Sequence, residues 1–373
     1  MSIRLVESAA GSGPQPSSSH VRQLGGGTLP QPLTDPACLW EFGVHGVPLP
    51  QYLRWADDVG LFVTLADADV IALEDIAHRT SLTARGADAL LGVLCGLHLV
   101  SRTERGFVFG DVGREYLDKR RPYYLGPSLY GMLNAPLPPQ LRKGQPVRRY
   151  SEFTGTIRDV VRYLRKGNQF GRAEQLMAQH RRNLPVNTKA AHSAQFRSVR
   201  HLADIGGGSG AFAIPLALEH PALRVTLVEL PRALPHIPRF LAPHRLQDRI
   251  RLMGHNIHQT PWPLEGCDGV LLGNMLHFCD EEECLALLRE ARRILPVDGR
   301  VFIHEMLWNE QMDGPVATAL WNFWMVTMSA GRQRTHWEIV QLLKKVGLTP
   351  ISAEATASGF TLVVARKMEP VQV

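Results

Sequence analysis

The chain has 373 residues, of which 45% are hydrophobic and 20% charged, with a formal charge of +6. That is too long for one ordinary domain and apolar enough for two, each with its own core. No run of 18 apolar residues exists and no apolar leader opens the chain, which excludes a membrane-spanning helix and predicts a cytoplasmic protein.

Five cysteines without a C-x-x-C pair suit a reducing compartment and argue against both a disulfide framework and a zinc site. The positive charge sits in short clusters such as Lys119-Arg120-Arg121 and Arg148-Arg149, which read as solvated faces and not as a nucleic-acid surface.

Residues 1–34 are rich in Gly, Ser, Pro and Gln and bury too little to offset their ordering entropy, so a disordered tail is expected there. From Pro50 on, Tyr52, Trp55, Ala56, Val59, Phe62 and Leu65 fall at helical spacing. A second helix follows at Leu73–Ala77 and a third at Thr83–Leu97; Ser101–Phe107 then reads as a strand, a turn at Gly106 and a returning strand. Three helices and a hairpin make a winged helix. A DNA-reading version would offer basic or amide side chains on its third helix. This one carries only Arg85 among apolar residues, and an all-round apolar helix is buried. Packing against a partner chain is the expectation, so 35–120 is read as a winged-helix-like, mainly α dimerisation domain and 121–196 as linking helices.

From Val199 strand and helix patterns alternate, which predicts a doubly wound, mostly parallel α/β sheet of seven strands in residues 197–373. The strands are expected at Val199–Ile205, Arg224–Glu229, Ile250–Met253, Cys267–Gly273, Arg300–Ile303, Leu348–Ala355 and Thr361–Ala365. The last two, joined across Ala357-Ser358-Gly359, place an antiparallel strand on a parallel sheet.

The strongest local signal is Asp204-Ile205-Gly206-Gly207-Gly208-Ser209-Gly210, between an apolar strand and a helix. Glycines there allow positive φ and a close ligand approach. On the loop alone a purely structural tight turn and a dinucleotide site both stay open. The D-x-G-x-G-x-G spacing favours S-adenosylmethionine (SAM). Glu229, ending the next strand, suits a ribose diol in either kind of site, so the closing hairpin is what separates them.

With these residues in view, positions 40 to 368 resemble the O-methyltransferase family that includes caffeate-type, acetylserotonin-type and hydroxyneurosporene-type enzymes. The resemblance rests on Asp204–Gly210, Val228-Glu229-Leu230-Pro231, Met275-Leu276-His277, Ile303–Leu307 and Gly331-Arg332-Gln333-Arg334-Thr335. It implies SAM as cofactor, S-adenosylhomocysteine as product and a homodimer. It also implies that Asp204, Gly206 and Gly208 lie against the methionine part, that Glu229 binds the ribose, and that Asn256 and Ile257 lie at the adenine. His277 matches the family's general base, Glu305 the first acid that orients it, and Gln333 the position of a second acid, where an amide could still hold the imidazole by hydrogen bonding. Trp321, Trp324, Met325 and Met328 match a pocket for a flat apolar acceptor, with Phe323 in the same stripe. Asp280–Glu283 reads as a helix start and Thr335-x-x-Glu338 as a capping box, and no ligands converge on a metal.

The favoured function is therefore SAM-dependent methylation of a hydroxyl on an aromatic or polyketide-like secondary metabolite. Its alternative is C- or N-methylation of an electron-rich ring such as an indole or tetrapyrrole. Outside that class stand a SAM-sensing winged-helix regulator and a SAM-binding protein with non-methylating chemistry.

Overall fold

The computed structural model describes residues 49–121, 124, 126, 137–143, 172–357 and 359–369. The expected tail over 1–34 and much of the linking region lie outside them. The N-terminal elements are α1 (Leu49–Asp58), α2 (Leu61–Ala66), α3 (Leu73–Thr80), α4 (Ala84–Gly96), β1 (Val100–Thr103), β2 (Gly106–Phe109), α5 (Asp111–Tyr116) and α6 (Gln140–Lys143). The single helix expected over residues 50–65 is two helices. Gly60 breaks it by adopting φ +73, a left-handed conformation that costs glycine little.

The hairpin pairs Val100 with Phe109 and Thr103 with Gly106, completing the winged-helix order. Its third helix, α4, is covered by its own chain, which corrects the expectation that a partner would cover it. Leu90, Leu91, Val93 and Leu94 are buried, and burial of side chains of this size stabilises by about 2 kcal/mol each. They share one core with Trp308, Leu320, Phe323 and Val326 from the C-terminal half. A Cβ at Gly92 would come 3.2 Å from the Trp308 ring, and one at Gly96 would come 3.1 Å from Val316 Cα. A helix enclosed this way cannot enter a DNA groove, so the regulator reading loses its reading element.

The C-terminal half continues with α7 (Arg172–Ala191), β3 (His201–Ile205), α8 (Ala213–Glu219), β4 (Arg224–Glu229), α9 (Pro238–Leu241), β5 (Ile250–Gly254) and β6 (Gly269–Gly273). It ends with α10 (Glu281–Ile294), β7 (Arg300–Met306), α11 (Val316–Met328), α12 (His336–Lys345), β8 (Leu348–Ala355) and β9 (Phe360–Lys367). The seven strands run β5-β4-β3-β6-β7-β9-β8. All pairs are parallel except β7–β9 and β8–β9, so the closing antiparallel hairpin is present.

Strand limits differ from expectation for local reasons. β3 starts at His201 because Ala194–Ser198 form a 3-10 turn capped by Ser193. β6 starts at Gly269 because the Asp268 carboxylate is turned back to accept the main-chain N–H groups of Arg200 and His201. β7 runs on to Met306 because Phe360 of β9 pairs with it there. Asp280 and Glu283 form a capping box at the start of α10, as Thr335 and Glu338 do at α12. The strand order reverses between β3 and β6, and the crevice beyond the carboxyl ends at such a switch point is where doubly wound sheets bind ligands. Among the described residues no helix is long and apolar enough to cross a membrane.

Candidate active site

Beyond the carboxyl ends of β3, β4 and β6 lies a cleft of about 280 Å³, with Asp204, Gly206, Glu229, Met275, His277 and Trp321 among its walls. The glycine-rich loop forms its floor. Gly206 has φ +71, which strains other residues, and a Cβ there would meet Met275 Sδ at 2.5 Å, so both the backbone and the space favour glycine.

Two carboxylates face this end. The Gly208 N–H donates to Glu229 Oε2 at 3.0 Å and the Leu230 N–H to Oε1 at 2.8 Å, which fixes the carboxylate at the end of β4. Burial raises the Glu229 pKa, opposed by those two backbone donors. Asp204 is 2% exposed, and its Oδ2 has no hydrogen-bond partner among the described residues. Burial, then the Glu229 charge, pushes its pKa up to about 7. An orphaned carboxylate beside a second one fits a cationic ligand that also carries hydroxyls, which is the chemistry of SAM. Beside Glu229, a small depression is lined by His255, Asn256 and Ile257. Asn256 Oδ1 already accepts the His258 N–H at 3.1 Å, closing a local turn and leaving one further lone pair for a ligand.

At the other end of the cleft His277 is 2% exposed, on a 3-10 turn after β6. Its Nδ1 lies 2.6 Å from Glu305 Oε2. Glu305 Oε1 accepts the main-chain N–H groups of Met275 at 2.8 Å and Leu276 at 2.7 Å. One carboxylate thus fixes the loop and the ring together, and with Nδ1–H committed to Glu305 the Nε2 lone pair is left as the acceptor. Nε2 has no partner. The Phe278 ring lies 4.3 Å from that of His277, and Trp321 meets it edge to face at 5.7 Å.

The segment 331–335 carries this loop from behind. Arg334, buried, donates to the Leu276 carbonyl at 2.7 Å and the Cys279 carbonyl at 2.9 Å. A Cβ at Gly331 would come within 2.1 Å of the His277 carbonyl oxygen. Backbone cannot yield cheaply, so Gly331→Ala is expected to cost about 1–3 kcal/mol of stability and to slow methyl transfer by displacing His277. A melt and a turnover assay check this; wild-type values in both would show that the loop is not held as described.

Gln333 requires a correction. It was expected at the imidazole, but its carboxamide lies between the Met306 carbonyl and Trp321 Nε1, 3.0 Å from each. The His277 Nδ1 is taken by Glu305 instead. The expected pocket wall also narrows. Trp321 lines the cleft, whereas Trp324 and Met325 are not among its lining residues. The Met328 side chain lies outside the described residues. Phe323 of the same helix belongs to the N-terminal core, stacking on Trp55 at 5.5 Å and meeting Tyr52 edge to face at 4.8 Å.

Residues that the sequence reading passed over also line the cleft. Gln179, Asn183 and Asn187 do so from α7, with Asn274 and Phe278. Amides at i, i+4 and i+8 on one helix face were a legible signal. Asn187 is 4% exposed, and its Oδ1 has no hydrogen-bond partner among the described residues.

A family model described as an O-methyltransferase domain matches residues 139–349, more than half of the chain. The 3-hydroxy-5-methyl-1-naphthoate 3-O-methyltransferase of Streptomyces sahachiroi is 29% identical over 312 residues, covering 83% of this chain and 88% of that protein. An O-methyltransferase family 2 protein from Planctomyces limnophilus, solved with apigenin, shares the fold with a TM-score of 0.73 at 21% identity, over 92% of this chain and 99% of its own. Human N-acetylserotonin methyltransferase, solved with SAM, shares it with a TM-score of 0.51 at 21% identity, over 86% and 94%. The chain belongs to the O-methyltransferase family and is a SAM-dependent methyltransferase.

Proposed function

We propose that the enzyme methylates a hydroxyl of a flat aromatic or polyketide-like small molecule, with His277 as general base and Glu305 as the group that orients it. One observation carries this reading: a buried histidine whose Nδ1 is held at 2.6 Å by a buried glutamate, with an unpartnered Nε2 at the wall of the cleft. Bound SAM supplies a methyl group already activated by its sulfonium charge. The protein's share is to align the acceptor oxygen, exclude water and remove the phenolic proton.

In this reading Glu229 holds the ribose, Asp204 faces the methionine part, Gly206 and Gly208 let it approach the backbone, and Asn256 and Ile257 frame the adenine. His277 Nε2 accepts the proton as the oxygen attacks, and the Glu305 carboxylate stabilises the resulting imidazolium. Phe278 and Trp321 flank the ring and keep water from Nε2. The S. sahachiroi relative's name gives a hydroxynaphthoate as its acceptor, which makes hydroxynaphthoates the first acceptors to test. Labelled SAM is incubated with hydroxynaphthoates and other polyphenols; methyl transfer to none of them, with transfer to indoles or tetrapyrroles, would favour the alternative. C- or N-methylation is supported by a single observation: among the described residues no carboxylate besides Glu305 pairs with His277, and a second one matters less where the nucleophile needs no deprotonation.

The cofactor assignment makes its own prediction. Glu229→Ala is expected to weaken SAM and S-adenosylhomocysteine binding roughly 10- to 100-fold, the range for lost hydrogen bonds to a charged group; calorimetry that found NAD bound and SAM ignored would sink it. Asp204 adds a pH dependence. Its folded pKa of about 7 lies above the ordinary carboxylate value, so the folded state keeps a proton that the unfolded chain releases. Its contribution to stability therefore declines as pH rises from about 4 to 7 and is flat beyond. A cationic ligand relieves that cost, so the thermal shift produced by SAM is expected to be larger at pH 8 than at pH 6, and the reverse order would count against Asp204 at the methionine end.

The homodimer now rests on the family resemblance, since α4 is covered by its own chain. Light scattering decides it. A cytoplasmic location is supported by Cys95, Cys267, Cys279 and Cys284, all buried and free.

A further inference from the structure

Gln333 stands where the family pattern has an acid, and its surroundings are made for an amide. A carbonyl oxygen only accepts and an indole N–H only donates. With Met306 O on one side and Trp321 Nε1 on the other, each 3.0 Å away, Gln333 satisfies both by donating through Nε2 and accepting through Oε1. A carboxylate here would accept from the indole but set its second oxygen against the Met306 oxygen, in a position only 1% exposed. The backbone is tied to the same helix, since the Gln333 N–H donates to Asn322 Oδ1 at 2.9 Å. Met306 follows Glu305 directly on β7, and Trp321 meets His277 edge to face with the planes at 87°. Gln333 therefore bridges the strand that carries the imidazole's orienter and the indole that packs on the imidazole.

We propose that Gln333 is a positioning residue that pins the Trp321 indole as a fixed wall of the acceptor cleft against His277. It sets how a flat acceptor lies on the base and does not supply charge to the imidazole. This rests on the reading of the cleft beside His277 as the acceptor site. The amide is then no vestige of a lost acid: one carboxylate, Glu305, serves the imidazole, and the second position serves the indole.

The test reads the indole N–H directly and needs no acceptor. In ¹⁵N-tryptophan-labelled protein, the Trp321 resonance is identified as the one missing from Trp321→Phe. It is expected to exchange slowly with solvent in the unsubstituted enzyme and at least about tenfold faster in Gln333→Met, as for a lost buried hydrogen bond. Exchange as fast as that of an exposed indole in the unsubstituted enzyme, or unchanged in Gln333→Met, would overturn the proposal. On a hydroxynaphthoate acceptor, Gln333→Met and Trp321→Phe should each raise KM roughly tenfold with kcat changed less and SAM affinity unchanged, and the double variant should add nothing. Gln333→Glu should also lower kcat/KM, with a pH profile of wild-type shape. Additive effects, or a faster Gln333→Glu enzyme with an altered profile, would return the residue to the imidazole. A His277→Ala enzyme with full turnover would remove the base assignment alone, because the exchange result would still decide whether Gln333 holds Trp321.

Discussion

His277→Ala is expected to bind SAM with near-wild-type affinity and to methylate a phenol about 10²- to 10⁴-fold more slowly, the usual contribution of a positioned general base. The separation follows from the geometry. His277 belongs to the loop after β6, whereas the two carboxylates at the glycine-rich loop belong to β3 and β4. The substitution leaves the Glu305 contacts to Met275 and Leu276 in place, so the loop keeps its shape. Calorimetry with SAM and steady-state turnover measure the two halves. Wild-type turnover would mean that alignment and the sulfonium suffice, and the C- or N-methylation reading would lead.

Glu305→Gln is expected to be nearly as damaging as removal of the histidine, although it changes one atom. A glutamine oxygen can still accept from Met275 and Leu276, where Oε1 does so now. Its NH₂ would then replace Oε2, 2.6 Å from His277 Nδ1, and would donate to that nitrogen. That forces the proton onto Nε2, the wrong tautomer for accepting one from the substrate. Turnover should fall about 10²- to 10⁴-fold with little change in melting temperature. A large loss of stability with proportionate loss of activity would mean that Glu305 serves the loop and not the ring.

These two residues mark what the sequence made legible. The glycine-rich loop and His277 follow a strand, Glu229 and Glu305 sit at the carboxyl end of one, and a sheet with short loops brings such positions to one edge whatever packs around it. The closing hairpin was readable for the same reason, because its signal is an alternation over a few residues. What escaped depends on distant partners. The apolar character of α4 announced burial, but only the tertiary structure reveals that Trp308 and α11 provide it. Gln333 stood where an acid was expected, and nothing local says that Trp321 and the Met306 carbonyl flank it. Arg334 belongs to a stretch that carries the family resemblance, but nothing local says that it holds two carbonyls of the His277 loop. The amides of α7 were readable as a helical face, but their value depended on knowing that this face borders the cleft.

The role proposed for His277 Nε2 is to prepare an acceptor oxygen for methylation. Its most direct test is the position of the methyl group in the product. The enzyme is incubated with SAM labelled with ¹³C at the methyl and a hydroxynaphthoate, and the product is read by NMR. A methyl carbon bonded to oxygen at a ring hydroxyl is expected, formed by the wild-type enzyme and at least about a hundredfold more slowly by His277→Ala. A methyl carbon bonded to ring carbon or nitrogen, or an O-methyl product formed equally fast by both enzymes, would contradict it.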